Sequence, residues 1–278
     1  MTQLTGLIGY PVSHSLSPRI HAYWIAEHKL EGDYKLFTTA PARLRQTILH
    51  MRKKNVAGVN ITIPHKQNVI EFLDSVDETA KKIGAVNTII NKNGKFVGTN
   101  TDAYGFITNL REGLTGAIDG DIQPYLKQVV MLGAGGATRA ACVALKEAGA
   151  INITLINRSN EAAVTLAGHF GIASLPWEAR SEALAEATLL INTTSLGMQD
   201  YDTLEIDLSK LPKAAAVYDI VYAPLETELL KNAKNNGHKT VDGLGMLLYQ
   251  AQAAFEKWYG VKPSVTKELR KHVLEKNA

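Results

Sequence analysis

Cysteine is nearly missing from this 278-residue chain. Cys142 stands alone, so no disulfide can close within the chain, which fits a reducing compartment. It falls in a helical pattern and reads as a small buried side chain without chemistry. No run of about 18 apolar residues occurs, so no membrane span is expected. The N-terminus, MTQLTGLIGY, has no basic start followed by an apolar run. A signal peptide is therefore not expected, and the cytoplasm is the expected location. Charge of one sign is scarce too: 30 basic against 27 acidic residues leave +3. With no basic stripe interleaved with aromatics, nucleic acid is not an expected partner. The eight histidines show no H-x-x-x-H spacing beside carboxylates, so no metal is expected. What is there, 45% hydrophobic and 21% charged residues, is ordinary for a globular enzyme, and the length allows two domains.

The first hundred residues alternate strand and helix patterns. Strands are expected at Gly6 to Tyr10, Asp33 to Thr38, Val56 to Ile63 and Phe96 to Thr99, with a hairpin around Asn93-Gly94. Ser17-Pro18 opens a helix, serine as cap and proline at the first helical position. Pro41 to Lys54 reads as a second helix whose closing Arg52-Lys53-Lys54 suits the C-terminal dipole. Two short helices follow at roughly 66–73 and 77–83. Glu112 to Pro124, rich in Gly, Asp and Thr, reads as the loop between domains. Beyond it a βαβ rhythm sets in, with strands at 128–132, 152–156, 188–192, 215–219 and 239–242. That alternation predicts a parallel, right-handed Rossmann-like sheet. The expected architecture is α/β with two domains: an N-terminal substrate domain, 1–110, and a dinucleotide domain, 111–244. The last helices, 245–258 and 264–275, return to complete the first, so that 245–278 belongs to it.

Two patterns carry chemistry. NITIPHK (60–66) and TNTDAYG (99–105) offer Lys66 and Asp102, each just past a strand, an amine and a carboxylate suited to proton transfer on a substrate oxygen. VVMLGAGGATRAA (129–141) places Gly133, Gly135 and Gly136 between a strand and a helix, the context in which glycines admit a pyrophosphate. Thr138 replaces the third glycine of the general pattern, and a tight turn with no ligand would read much the same. The next strand ends in Asn157-Arg158, with no acid for a ribose hydroxyl; Arg158 suits a 2′-phosphate instead. Proton transfer beside a nucleotide cradle implies hydride chemistry on an alcohol or ketone.

These residues resemble the shikimate dehydrogenase family, in order and over essentially the whole chain. The blocks are GYPVSHSLSP (9–18), NITIPHK, GAVNT (84–88), NTDAYGF (100–106), GAGGATRAA (133–141), NRS (157–159), NTTSLGM (192–198), YDIVYAPLETELL (218–230) and GLGMLLYQAQAAF (243–255). The resemblance implies NADPH-dependent, reversible reduction of 3-dehydroshikimate to shikimate, on the route to aromatic amino acids. It implies Lys66 as acid/base paired with Asp102, and Ser15 and Ser17 on the substrate carboxylate. Thr62, Asn87, Asp102 and Gln250 would hold the ring hydroxyls, and Tyr222 would approach the substrate. Gly133, Ala134, Gly135, Gly136 and Ala137 would wrap the pyrophosphate, with Asn157 and Arg158 at the 2′-phosphate. Thr193 and Ser195 would lie near the nicotinamide ribose or diphosphate, and Gly243 and Met246 against the nicotinamide ring.

One departure stands out: Asn160-Glu161-Ala162-Ala163 lacks the second base that NADP-using members often carry. NAD therefore stays open as a secondary cofactor, and quinate/shikimate dehydrogenase activity as an alternative. A non-catalytic nucleotide-sensing protein is the alternative of another class, although it would have no need of Lys66. The only expected partner is the small-molecule substrate, with a homodimer left open.

Overall fold

The chain divides into two compact units, one of Met1–Asp102 with Leu247–Ala278, the other of Ala103–Met246. The computed structural model describes residues 2–275, so Met1 and the last three residues of the expected segment 245–278 lie outside the described residues. Among the described residues no helix is long and apolar enough to cross a membrane.

The first unit runs β1 (Gln3–Gly9), α1 (Ser17–Glu27), β2 (Gly32–Thr38), α2 (Leu44–Lys53), β3 (Gly58–Ile61), β4 (Ser75–Val76), α3 (Glu78–Ile83), β5 (Thr88–Lys92) and β6 (Lys95–Thr99). Its sheet has the order β2-β1-β3-β5-β6-β4. β1 pairs in parallel with β2 and β3, whereas β5 is antiparallel to β3 and β6. Successive side chains on a strand point to opposite faces. Accordingly Ile8 joins a core with Ile48 and Met51 of α2, and Leu7 joins another with Trp258. The Asn93-Gly94 turn between β5 and β6 has positive φ at both residues, 54° and 85°, as a tight two-residue hairpin requires.

The chain passes into the second unit along α4 (Asp102–Thr115). There follow β7 (Gln128–Leu132), α5 (Gly136–Glu147), β8 (Asn152–Asn157), α6 (Asn160–Phe170), β9 (Ala173–Pro176), β10 (Leu189–Asn192), β11 (Ala216–Asp219), α7 (Glu228–Asn235) and β12 (Lys239–Val241). Within α8 (Leu244–Tyr259) the chain re-enters the first unit, which α9 (Lys267–Leu274) completes. The second sheet is parallel throughout, in the order β12-β11-β10-β7-β8-β9. The chain winds outward from β7 to β9, then restarts at β10 and winds the other way. Such a reversal between β7 and β10 opens a crevice at the carboxyl ends of the strands.

The differences from the sequence reading have local causes. The expected loop 112–124 begins inside α4, which holds to Thr115 because Leu114 is buried and Gly113 lies against Val241. A Cβ added at Gly113 would lie 2.7 Å from the Val241 side chain, so packing overrides the low helix propensity. The expected 66–73 helix is a 3-10 stretch, Asn68–Phe72. β9 is a strand the sequence reading lacks; it is a short edge strand closed by Pro176 and carries little apolar periodicity. Ser17 is the first residue of α1 and not its cap. Arg52 does more than meet a dipole: it pairs with Asp74 at 2.6 Å, donates to the Phe72 carbonyl at 3.1 Å and covers the Phe96 ring.

Candidate active site

In the first unit three chain segments meet: the exit from β3, the residue before β5, and the first turn of α4. Lys66 Nζ donates to Asp102 Oδ2 at 2.5 Å, with side-chain exposures of 16% and 6%. The other carboxylate oxygen accepts from Asn87 Nδ2 at 2.8 Å. The Asp102 N–H is held by Asn100 Oδ1 at 2.9 Å, and Asn100 Nδ2 donates to the Ala85 carbonyl.

The Asn87 amide has one workable orientation. Its oxygen accepts from the Thr101 N–H at 2.8 Å and the Thr88 hydroxyl at 2.9 Å. A flip would set NH2 against an N–H and the oxygen against a carboxylate, two mismatched contacts. Asn87 Nδ2 also reaches Gln250 Oε1 at 3.4 Å, while Gln250 Nε2 donates to the Leu247 carbonyl.

Behind Asn87 the polar chain continues. Asn60 Nδ2 donates to Thr88 Oγ1 at 3.1 Å, and Tyr34 Oη donates to Asn60 Oδ1 at 2.8 Å. Ser17 in turn bonds Tyr34, whose phenol burial pushes far above its ordinary value. The Ser17 N–H donates to Ser15 Oγ at 3.2 Å, so it is Ser15 that serves this turn. Thr62 opens the turn that leads to Lys66, its carbonyl accepting from the His65 N–H at 2.9 Å. His65 is buried, with Nε2 2.6 Å from the Thr39 carbonyl; that oxygen can only accept, so the nitrogen carries the proton and the ring is structural.

Sequence reasoning missed Tyr34, Asn60 and Thr88. One signal was available: Asn60 interrupts a strand whose four residues are all buried, and a polar group there needs partners. The assembly can hold an ammonium at a fixed point and pass a proton from it.

The second unit carries the nucleotide pattern. Gly133 follows β7 with φ +111°, a conformation open chiefly to glycine, and its N–H donates to the Ile156 carbonyl at 2.8 Å. Gly135 has an ordinary φ of −93°, and a Cβ there would meet nothing within 4 Å. Neither backbone nor packing demands glycine at 135, so the open space beside it fits a ligand that approaches closely. α5 begins at Gly136, and the first N–H groups of a helix lack intrahelical partners and favour an anion. These residues fit a pyrophosphate.

Asn157 ends β8 and donates to the Ser159 carbonyl; Ser159 Oγ caps α6, and Arg158 between them is exposed. The turn after β10 carries Thr193 and Ser195. Asn192 shapes it by accepting from the Thr194 N–H and hydroxyl at 3.0 and 2.7 Å. Asn192 Nδ2 donates to Asp219 Oδ1 at 3.0 Å. Asp219, fully buried, also accepts from the Val221 N–H and from the Thr227 hydroxyl. Burial pushes its carboxyl up to about 6 despite these donors. Asn192 and Asp219, which the sequence reading quotes within larger blocks but gives no role, thus brace the loops bearing Thr193, Ser195 and Tyr222. Close approach accounts for Gly243, where a Cβ would lie 2.1 Å from the Ile220 carbonyl oxygen. Met246 is buried in α8. Among the described residues no group of three or more His, Cys, Asp or Glu could hold a metal ion.

Residues 7–89 match the shikimate dehydrogenase substrate binding domain, 121–199 the shikimate / quinate 5-dehydrogenase family and 243–274 the shikimate 5′-dehydrogenase C-terminal domain. A shikimate dehydrogenase (NADP(+)) of Paramagnetospirillum magneticum is 44% identical over 275 residues, 98% of each chain. The chain belongs to the shikimate dehydrogenase family. Among solved members of that fold, the shikimate 5-dehydrogenase of Thermus thermophilus in complex with NADP(H) and shikimate superposes with a TM-score of 0.85, at 36% identity over 98% of each chain. The quinate dehydrogenase of Corynebacterium glutamicum in complex with NAD gives 0.89, at 31% identity over 98% of this chain and 99% of that one. The shikimate dehydrogenase family thus has structural kin with both cofactors.

Proposed function

We propose that the protein reduces 3-dehydroshikimate to shikimate with NADPH, reversibly, as a step toward aromatic amino acids. The observation that carries the reading is the Lys66–Asp102 pair at 2.5 Å, with Asn87 on the opposite carboxylate oxygen. Full-length likeness to NADP-dependent shikimate dehydrogenases supports the choice of substrate and cofactor.

In this reading NADPH, when bound, supplies the hydride that reduces the ketone carbon. Lys66, as ammonium, gives the ketone oxygen its proton and takes one back in the reverse direction. Asp102 aims the ammonium, and Asn87 holds Asp102. Such acid–base catalysis typically contributes about 10²–10⁴-fold. Ser15 and Ser17 bind the substrate carboxylate, Thr62, Asn87, Asp102 and Gln250 the ring hydroxyls, and Tyr222 is a further contact. Gly133, Ala134, Gly135, Gly136 and Ala137 surround the pyrophosphate. Asn157 and Arg158 meet the 2′-phosphate; Thr193, Ser195, Gly243 and Met246 serve the nicotinamide half.

The test is an absorbance assay of nicotinamide reduction with shikimate and quinate against both cofactors. Shikimate with NADP is the expected best pair, and no shikimate-dependent NADPH formation would sink the proposal. A second reading, quinate/shikimate dehydrogenase using NAD or either cofactor, is favoured by Glu161 and the missing base after Arg158. Equal efficiency with quinate and NAD would establish it.

A further inference from the structure

We propose that Thr138 and Thr193 are positioning residues for the dinucleotide, a two-hydroxyl latch that holds the glycine turn in the shape that receives it. The inference rests on the NADP site proposed above. The direction of each hydrogen bond follows by elimination. Thr193 Oγ1 lies 2.6 Å from the Leu132 carbonyl, which can only accept, so the Thr193 hydrogen points there. Thr193 Oγ1 is then the acceptor toward Thr138 Oγ1, 2.8 Å away, and the Thr138 hydrogen fills that contact. Thr138 Oγ1 in turn accepts from the Gly135 N–H at 3.0 Å. One directed chain runs from the tip of the glycine turn, across to the loop after β10, and back to the last residue of β7.

Its place in the fold gives the chain its use. β7 and β10 are the neighbours between which strand order reverses, so the latch ties together the two loops at the mouth of that crevice. Both threonines are buried, at 0% and 8% exposure, where aligned hydroxyls reinforce one another. The same Thr193 hydroxyl backs the other flank of the turn: a Cβ at Gly133 would lie 2.7 Å from it. The Gly135 N–H is engaged by Thr138, which leaves the N–H groups opening α5, at Gly136 and Ala137, to face the pyrophosphate. Thr138 therefore does with a hydroxyl what a third glycine does elsewhere by close packing. Thr193 acts here through the turn, besides serving the nicotinamide half.

The experiment compares Thr138→Val, which keeps shape and removes the hydroxyl, with Thr138→Ser, which keeps the hydroxyl. NADPH affinity is read by nucleotide fluorescence titration without substrate, beside a thermal unfolding curve and steady-state kinetics. The valine variant is expected to bind NADPH roughly tenfold or more weakly, the scale of one unmade buried hydrogen bond. The serine variant is expected to recover affinity to within about threefold, and kcat at saturating NADPH to stay within about threefold in both. Parent-like NADPH affinity in the valine variant, or equal loss in valine and serine variants, would overturn the latch. Should Thr138→Val fail to fold, Thr193→Val against Thr193→Ser makes the affinity comparison from the other end, read by NADPH titration alone because Thr193 also serves the nicotinamide half. A loss in valine that serine recovers supports the latch, and parent-like affinity in valine or equal loss in both overturns it. A parent protein that binds no NADPH would overturn both this inference and the proposed function. A parent that binds NADPH but oxidises no shikimate would overturn the function alone.

Discussion

In the first unit the candidate site is a run of side chains, from Ser15 and Ser17 through Tyr34, Asn60, Thr88 and Asn87 to Asp102 and Lys66, drawn from segments far apart in sequence. In the second unit one contiguous turn, Gly133 to Ala137, presents main-chain groups and empty space. A site made of side chains loses function when an atom is removed, because each member holds the next. A site made of backbone is indifferent to most removals and fails when an atom is added where a ligand or neighbour must come close. Apart from the two threonine hydroxyls that hold the turn, the first unit should therefore break by subtraction and the second by addition.

The largest effect expected is subtractive. Lys66→Ala should lower turnover by about 10²–10⁴-fold while the far-ultraviolet dichroism spectrum stays native; near-normal turnover would remove Lys66 from the mechanism. The additive counterpart separates two glycines that look alike in sequence. Gly133→Ala forces a side chain into φ +111° and against Thr193, so thermal unfolding should show a loss of about 1–3 kcal/mol from backbone strain, with the contact adding to it. Gly135→Ala meets nothing, so its melting temperature should match the parent while NADPH affinity falls roughly tenfold or more. Equal destabilisation of the two variants would end the distinction.

The units should also answer acid in opposite senses. His21, stacked on Tyr34, has neither ring nitrogen hydrogen-bonded among the described residues, and burial pushes it down to about 3 from an ordinary 6.5. Below 6.5 the unfolded chain takes a proton that the folded first unit refuses, so stability falls as pH drops toward 3. The slope is at most about 1.4 kcal/mol per pH unit. Asp219 runs the other way: its folded value of about 6 exceeds the unfolded 3.8, so between these pH values acid favours the folded second unit. Calorimetry from about pH 7 to about pH 4.5, a window spanning most of both shifts, should resolve a first-unit transition that moves down relative to the second. His21→Phe should flatten that shift; an unchanged slope would show that another group carries it. The smallest effect is at a cap: Ser159→Ala, which removes the acceptor for the Ala162 N–H, should cost about 1 kcal/mol in chemical denaturation and leave NADPH affinity unchanged.

The same contrast explains how far the chain is legible from its residues alone. The glycine turn is legible because all of its determinants are contiguous: an apolar strand, three glycines, a helix. The parallel sheet follows from βαβ alternation, except for β9, whose exposed residues carry no period. The placing of Lys66 beside Asp102 is long-range: two strand ends offer an amine and a carboxylate, and resemblance to a family pairs them, but nothing in the local pattern of either segment fixes their contact. Tyr34, Asn60 and Thr88 stay hidden because tyrosine and threonine are ordinary strand residues, and only Asn60 is out of character. The last turn of α4 reads as loop because its Gly113 and Thr115 resemble loop residues, while the contact with Val241 that keeps it helical lies 128 residues downstream of Gly113 (241 − 113).

Cys142 gives the second unit a built-in clock. The thiol is wholly enclosed, and burial pushes it up to about 12, so almost no thiolate exists at neutral pH. An alkylating reagent can reach it only when the surrounding helix and sheet come apart. The rate at which this single thiol is labelled thus times the openings of the second unit alone, with no probe to attach and no background from a second thiol.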